Sequence, residues 1–170
     1  MYISRIAKDD REQLTKQHLQ DCAEYACSIG KKFAVSKICR TTALFHDMGK
    51  FSSEFVEYLK HSHLEEKLGH KPTGRGSVIH TTQGAKFLYE FGSNDTDLVA
   101  ALIREISAIC IANHHGSLMD GMSPCGDTPF QDRLKRENDD LHYTEVFDLR
   151  KKNIFLYTMC PTLLNNAGMN

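Results

Sequence analysis

The sequence predicts an all-α protein, and three observations support this prediction. Apolar residues recur at three- and four-residue steps in several separate stretches, the period of a helix packed on one face. Glycine and proline interrupt the chain between these stretches. No stretch alternates strictly between apolar and polar residues, as a half-buried strand would. With 170 residues, the chain is long enough for one domain with its own core.

The first half of the chain contains three predicted helices. The first covers residues from about 12 to 32, with Gly30 as its stop signal. The second covers residues 35–48 and ends before a glycine. The third is short, covering residues 51–61. The polar stretch 62–77, which contains proline and glycine, is predicted to be a surface loop.

The second half contains three more predicted helices. Helical spacing returns over residues 78–91, and residues 97–113 form the longest apolar helix. The polar stretch 117–142 is broken by glycine and proline and is predicted to be irregular. Residues 146–166 are helical and apolar again, with Pro161 as an interruption or kink.

Composition indicates an ordinary globular chain. The net charge of -1 argues against a globally basic nucleic-acid binder, although a local basic strip remains compatible with it. The 6 cysteines form no C-x-x-C pair, so we interpret them as small buried hydrophobes in a reducing compartment. We find neither a signal-peptide pattern at the start nor an apolar run long enough to span a membrane. The expected location is the cytoplasm, with no membrane partner.

Side chains that bind metals recur on or at the ends of the predicted apolar helices. They are His18, His46, Asp47, His80, His114 and His115. Several imidazoles directed into one bundle would be costly unless something binds them, and a metal cluster provides that compensation. Nitrogen and oxygen donors suit Mn, Fe, Co, Ni or Zn rather than calcium. The pattern therefore predicts a metal-dependent hydrolase.

Single residues of this set allow other interpretations. A lone histidine such as His18 on an apolar helix face is more often a satisfied core residue than a ligand. Asp47 could bridge two cations or hydrogen-bond local backbone. An acid at a helix C-terminus opposes the helix dipole, which favours a nearby cation. Lys50 could neutralise a phosphate oxygen in the transition state or be a solvated lysine at a helix end.

Four further histidines lie in polar stretches and are predicted to face solvent: His61, His63, His70 and His142. Lysines and arginines concentrate in the two polar loops and near the last predicted helix. A solvated surface is the simplest interpretation of these charges, and a strip for phosphate backbones is the alternative.

Four features of the sequence act together as a motif set. They are His18 in the first helix, the run His46-Asp47-Met48-Gly49-Lys50-Phe51, the run His80-Thr81-Thr82-Gln83-Gly84-Ala85, and the run Asn113-His114-His115-Gly116. This set resembles the HD superfamily of metal-dependent phosphohydrolases. Within that superfamily it is most similar to the HD nuclease domain of the type I CRISPR nuclease-helicase. The resemblance covers residues 14–120 well and the remainder loosely.

The resemblance implies an HD-domain helical bundle with a metal site in its core, as a single nuclease-like domain over residues 1–170. It implies one or two divalent ions, namely Mn, Ni, Co, Fe or Zn, with Mg as a further candidate. One ion would be held by His18, His46 and Asp47, and the other by Asp47, His80, His114 and His115. Asp47 and Lys50 would act in catalysis.

The implied reaction is endonucleolytic cleavage of single-stranded DNA, or of RNA in some members, during CRISPR interference. The implied partners are that strand, a helicase domain or subunit that supplies it, and the CRISPR surveillance complex. An HD nucleotide phosphohydrolase and a degenerate module without turnover are the alternatives. The first needs the same His-Asp core but not the second histidine pair.

One departure from the family pattern concerns the end of the chain. The resemblance implies an aspartate in the last core helix that completes the first metal site, whereas this chain has Asn166 and Gly168 in that stretch. Asn166 could offer a neutral carbonyl oxygen, a weaker ligand than a carboxylate. Otherwise the first metal site is weak or broken, the chain is a fragment, or another acid such as Asp120 or Asp148 replaces the expected one.

Overall fold

A computed structural model describes residues 1–72, 74, 76–90, 96–137 and 141–146. Within these ranges the chain forms six α-helices, further helical residues at 143–146, and one small antiparallel sheet. The elements in order are β1 (Ile3–Ile6), β2 (Glu12–Leu14), α1 (Thr15–Gly30), α2 (Ser36–Phe45), α3 (Ser53–Lys67), α4 (Thr82–Glu90), α5 (Leu98–Ala112) and α6 (Pro129–Leu134). Short 3₁₀ turns follow α1 and α2. The all-α prediction is confirmed.

Helices that follow one another along the chain pack together, α1 with α2 and α4 with α5, and α2 also contacts α5. Their apolar faces form one core that includes Leu44 and Phe45 from α2, Ala85 from α4, and Ile111 from α5. The Phe45 ring stacks on the Phe87 ring at a centroid distance of 5.2 Å. The core therefore holds together the ends of α2 and α5, where the predicted metal-binding residues lie.

Helix starts are fixed by side-chain caps in two places. The Asp97 carboxylate accepts hydrogen bonds from the backbone N–H groups of Val99 and Ala100, and the Ser52 hydroxyl accepts one from Phe55. Such caps satisfy backbone donors that a first helical turn leaves without partners. As a result, α5 begins one residue after Asp97, close to its predicted start.

The N-terminal boundary of the first helix was predicted too early. Residues 12–14 are extended instead, because β2 pairs with β1 in a small hairpin that the sequence pattern did not reveal. The backbone reverses between the strands at Asp10, which has a φ of 67°. Aspartate tolerates this left-handed conformation better than most residues. The hairpin leads directly into α1 at Thr15.

Several other boundaries differ from the predictions. Residues 62–67 continue α3 rather than forming a loop, because the polar stretch contains good helix formers such as Glu65 and Glu66. Conversely, α4 begins only at Thr82, four residues after its predicted start. The stretch predicted to be irregular contains α6, whose first residue is Pro129 and whose Phe130 side chain is buried. Proline is favoured in that position because its missing N–H would be unpaired there anyway.

The predicted C-terminal helix over 146–166 lies outside the described residues except for Val146, which is buried in the core. The five described cysteines are free thiols. Cys110 and Cys125 are exposed, so the prediction that the cysteines are buried is wrong for these two. In the part of the chain that the structure describes, no helix is both long and apolar enough to cross a membrane.

Candidate metal centre

Four chain segments bring the predicted ligands to one place. His18 lies on α1, His46 and Asp47 follow α2, His80 precedes α4, and the histidine pair follows α5. The rings of His114 and His115 lie 4.1 Å apart between centroids, and the His46 and His114 rings lie 5.0 Å apart. All six residues predicted as ligands are thus gathered around a single point.

Asp47 occupies the centre of this arrangement. Its residue is only 2% exposed. Oδ2 lies 3.0 Å from His18 Nε2 and 3.1 Å from His46 Nε2. Oδ1 lies 3.2 Å from His114 Nε2 and 3.8 Å from His80 Nε2. Each carboxylate oxygen therefore faces a different pair of imidazoles.

The backbone fixes the orientation of three of these imidazoles. Nδ1 of His46 lies 2.6 Å from the carbonyl oxygen of Ala43, and Nδ1 of His114 lies 2.8 Å from that of Ile111. His80 Nδ1 lies 3.3 Å from the carbonyl oxygen of Val78. Because a carbonyl only accepts hydrogen bonds, Nδ1 carries the hydrogen in each ring. The Nε2 atoms consequently point at Asp47, with lone pairs whenever the rings are neutral.

The charges around the site favour an ionised carboxylate. Burial alone would raise the pKa of Asp47, but hydrogen bonds from His114, His18 and His46 lower this pKa far below its usual range. Burial disfavours the charged form of His46, but the hydrogen bond to Asp47 and the charge of that carboxylate raise the pKa of His46 overall. Burial lowers the pKa of His80 to about 4, so this ring is neutral at physiological pH.

The residues present fit a divalent cation. The buried Nε2 atom of His80 has no hydrogen-bond partner, and its lone pair faces the Asp47 carboxylate, which also only accepts. A buried acceptor that faces another acceptor is unfavourable unless a cation lies between them. Nδ1–H groups bonded to carbonyls are also the usual support for histidines that ligate metals through Nε2.

The donors form two groups, in each of which the ligand atoms lie within 4.8 Å of one another. The helix-side group consists of His18, Cys22 and His46. The loop-side group consists of Asp47, His80, His114 and His115. Because Asp47 Oδ2 also contacts two histidines of the helix-side group, this carboxylate joins the two groups.

Lys50 has a defined position in the site. Its Nζ atom lies 2.8 Å from Asp47 Oδ2, and its side chain is 12% exposed. The same ammonium lies 5.5 Å from the centre of the Phe55 ring, within range of a cation–π contact. The interpretation of Lys50 as a solvated helix-end lysine is therefore wrong, since the ammonium contacts the central carboxylate.

Two glycines allow the ligand-bearing segments to approach one another. A Cβ atom on Gly49 would lie 2.4 Å from the Cα atom of His80, and one on Gly84 would lie 1.8 Å from the carbonyl oxygen of Phe45. Both distances are impossible for real side chains. The backbone N–H of Gly49 donates to the carbonyl of His80 across the first contact. These glycines of the motif set thus serve close packing between the segments.

Sequence reasoning missed two polar residues near the site. Cys22, interpreted as a small hydrophobe, lies beside His18, and the signal for it was its position one helical turn after that histidine. Gln83 is buried and donates through Nε2 to the carbonyls of Ile79 and Leu141. It thereby fixes the segment that carries His80, and no pattern in the sequence indicated this role.

The excluded histidines lie elsewhere, as expected, but two are not simply solvent-facing. The His63 side chain is only 16% exposed, and its Nε2 lies 2.7 Å from Asp10 Oδ1. His142 pairs with Glu54. The prediction that these two side chains simply face solvent was therefore wrong, because each imidazole pairs with a carboxylate. Asp120 is exposed and belongs to neither donor group, while Asp148, Asn166 and Gly168 lie outside the described residues.

The fold and the site define a class: a helical protein with a core centre of histidines around one shared carboxylate. A match to the HD domain family covers residues 15–152, which is most of the chain. The protein therefore belongs to the HD domain family. No curated protein matches the chain. HD domains are in general metal-dependent phosphohydrolases that bind divalent metals, and the His/Asp cluster described above agrees with that class.

Proposed function

We propose that this protein is a metal-dependent endonuclease that cleaves single-stranded DNA during CRISPR interference, with RNA as a second possible substrate. The observation that carries the proposal is the position of Asp47 between the two donor groups. One carboxylate with different histidines on each oxygen suits a pair of cations, the arrangement typical of phosphodiester hydrolysis. The specific substrate and setting come from the resemblance described above.

Divalent cations bound here would activate water and neutralise charge on the phosphate. The chain itself supplies the rest of the environment. Asp47 stays ionised because of its histidine partners, and the backbone carbonyls keep the Nε2 atoms directed inward. The Lys50 ammonium adds a positive charge at the same carboxylate, close enough to balance negative charge that develops on a phosphate.

The exposure of the site supports a polymeric substrate. His115 lies at the exposed edge of the loop-side group, while His18, His46, His80 and His114 are each partly accessible. A phosphodiester in a long strand can reach such an open edge without the nucleotide being enclosed. A mononucleotide phosphohydrolase would need contacts with base and sugar around the phosphate as well.

The partners in this proposal come from the family resemblance, and the charge of the chain is compatible with them. With a net charge of -1, the isolated chain has little general attraction for a polyanion. We propose that a helicase domain or subunit and the CRISPR surveillance complex deliver a displaced single strand to the metal centre. We expect the chain alone to bind DNA weakly and in a salt-sensitive way. Tight binding at physiological salt would contradict the proposal that partners deliver the strand.

The test uses metal-stripped protein and circular single-stranded DNA, with Mn, Co, Ni, Mg or no metal added. We expect metal-restored opening of the circle, which only an endonuclease can produce, and loss of this activity in Asp47→Ala. His70→Ala is the matched control, since it removes an exposed histidine outside both donor groups. A preference for mononucleotides over the circle would favour the phosphohydrolase. Bound metal without hydrolysis of either substrate would favour the module without turnover.

A further inference from the structure

Cys22 lies in the site without any role in the mechanism described above. It is half-buried on α1, and its Sγ atom lies 3.8 Å from Nδ1 and 3.9 Å from Nε2 of His18. Unlike Leu44 or Ala23, it is not part of the apolar core. With His18 and His46 it forms a group of potential ligand atoms no more than 4.8 Å apart.

The spacing of these atoms agrees with a shared tetrahedral ion. Zinc is bound by thiolate at about 2.3 Å and by imidazole at about 2.0–2.1 Å, which separates the sulfur and nitrogen atoms by roughly 3.6 Å. The observed distances between Cys22 Sγ and the His18 nitrogens exceed this value by only a few tenths of an ångström. The four-residue separation on one helix keeps both side chains on the same face.

The number of donors also agrees. Asp47 Oδ2 lies 3.0 Å from His18 Nε2 and 3.1 Å from His46 Nε2, so two imidazoles and one carboxylate oxygen already converge. Cys22 adds a fourth donor from the same helix as His18. Two nitrogens, one oxygen and one sulfur complete four-coordination, the usual number for zinc.

We propose that Cys22 is a thiolate ligand of the cation held by the helix-side group. Binding transfers the thiol proton to solvent and forms a metal–sulfur bond. A thiolate favours zinc, cobalt or cadmium, whereas the loop-side group, with only nitrogen and oxygen donors, also suits manganese. The two groups of this centre thus differ in metal preference. The inference rests on metal binding at the site and not on the proposed nuclease activity.

The first experiment is a cobalt titration of the reduced, metal-stripped chain. A cobalt–thiolate bond gives a charge-transfer band in the near ultraviolet that nitrogen and oxygen ligands do not give. We expect this band in the wild type and in Cys27→Ser, which alters another half-buried cysteine of α1. We expect its loss in Cys22→Ser. Zinc affinity in that variant should fall by at least about 100-fold, because losing a group that only supports a ligand already costs about 10–100-fold.

Cadmium-113 NMR of the wild type gives a second measurement that does not depend on the folding of a variant. A chemical shift in the range of sulfur-ligated cadmium is expected for one bound ion. Cobalt bound without the band, an unchanged band in Cys22→Ser, a cadmium shift typical of nitrogen and oxygen ligands alone, or no metal bound would each overturn the proposal. The band without any DNA cleavage would leave this inference intact and contradict only the nuclease proposal.

Discussion

The two donor groups of the metal centre are built in different ways. In the helix-side group, His18 and Cys22 project from the first half of α1 and depend on helix geometry for their spacing. In the loop-side group, His80 and His114 lie just outside helices, and backbone carbonyls bind their Nδ1 atoms. The His80 and His114 rings are thus oriented before any ion binds, whereas the His18 ring lies against the side chains of Asp47, Cys22 and His46.

The two groups therefore differ in two properties that matter for binding a cation, namely how far the ligands are oriented in advance and which donor atoms they offer. Preorganised ligands reduce the entropy lost on binding, and backbone carbonyls orient two imidazoles of the loop-side group, His80 and His114, and one of the helix-side group, His46. The helix-side group differs in its donor atoms, because of the two groups it is the one that contains a sulfur atom. Asp47 is common to both, and its substitution tests whether they act as one centre.

Asp47→Ala is expected to have the largest effect. It removes the carboxylate that contacts the histidines of both groups and leaves their imidazoles without a counter-charge. We expect metal content to fall to zero and cleavage to fall by more than about 1000-fold, or about 4 kcal/mol in the activation barrier. Elemental analysis and a DNA-cleavage assay measure the two effects. A variant that retains one ion per chain would show that one group binds independently of Asp47.

Gly84→Ala tests the packing beneath both groups. Its methyl group would overlap the carbonyl oxygen of Phe45, so α4 and the end of α2 must separate. Overpacking of this kind costs about 3 kcal/mol, and here the obstacle is rigid backbone. Thermal unfolding should show a large fall in Tm, while Gly116→Ala, at a position with open space, should change Tm little. A Gly84→Ala protein with the stability of the wild type would contradict the close approach of the helices.

His46→Ala and His80→Ala separate the two groups. Each removes a donor from one group only, so we expect each variant to lose one of two bound ions and cleavage to fall by about 100-fold, or about 2.7 kcal/mol. Manganese binding should suffer more in His80→Ala, and zinc binding more in His46→Ala. Calorimetric titration with each metal measures this. Identical metal profiles for the two variants would show that the groups are not distinct.

Lys50→Met is expected to have the smallest effect, with opposite signs in two assays. The ammonium contacts the oxygen of Asp47 that faces the helix-side group, so removing its charge should tighten metal binding a few-fold. Methionine retains an apolar stem for packing near Phe55. Cleavage should fall by about tenfold, since a positive charge near the phosphate is lost. Weaker metal binding in this variant would show that Lys50 supports the site rather than competing with the cation.

Much of the fold was predictable because the helices bury one face each. Residues 98–112 form a helix with a capping aspartate, and the apolar spacing and Asp97 both indicate it. The β1–β2 hairpin was missed because strands of four and three residues contain too few positions for alternation to appear. The end of α3 was missed because its polar residues favour helix by propensity but show no apolar periodicity.

The candidate site was predictable where its residues are histidine and aspartate, because these residue types are common metal ligands. The sequence drew attention to Asp47 and to all five histidines that the structure gathers around it, although their role as ligands stays a prediction. It did not identify Cys22, because a cysteine on an apolar helix face has the pattern of a core residue. The sequence alone also did not show whether the Lys50 ammonium contacts Asp47 or faces solvent, because its position depends on how the chain turns after α2.

The hydrogen bond from the Gly49 N–H to the His80 carbonyl ties the segment after α2 to the segment before α4. Asp47 and His80 are carried by these two segments, so the two backbone segments cannot move apart without breaking this bond. The amide hydrogen of Gly49 consequently exchanges with solvent only when the segments separate. Its exchange rate reports the opening of the centre as a cooperative unit, and a bound cation should slow it.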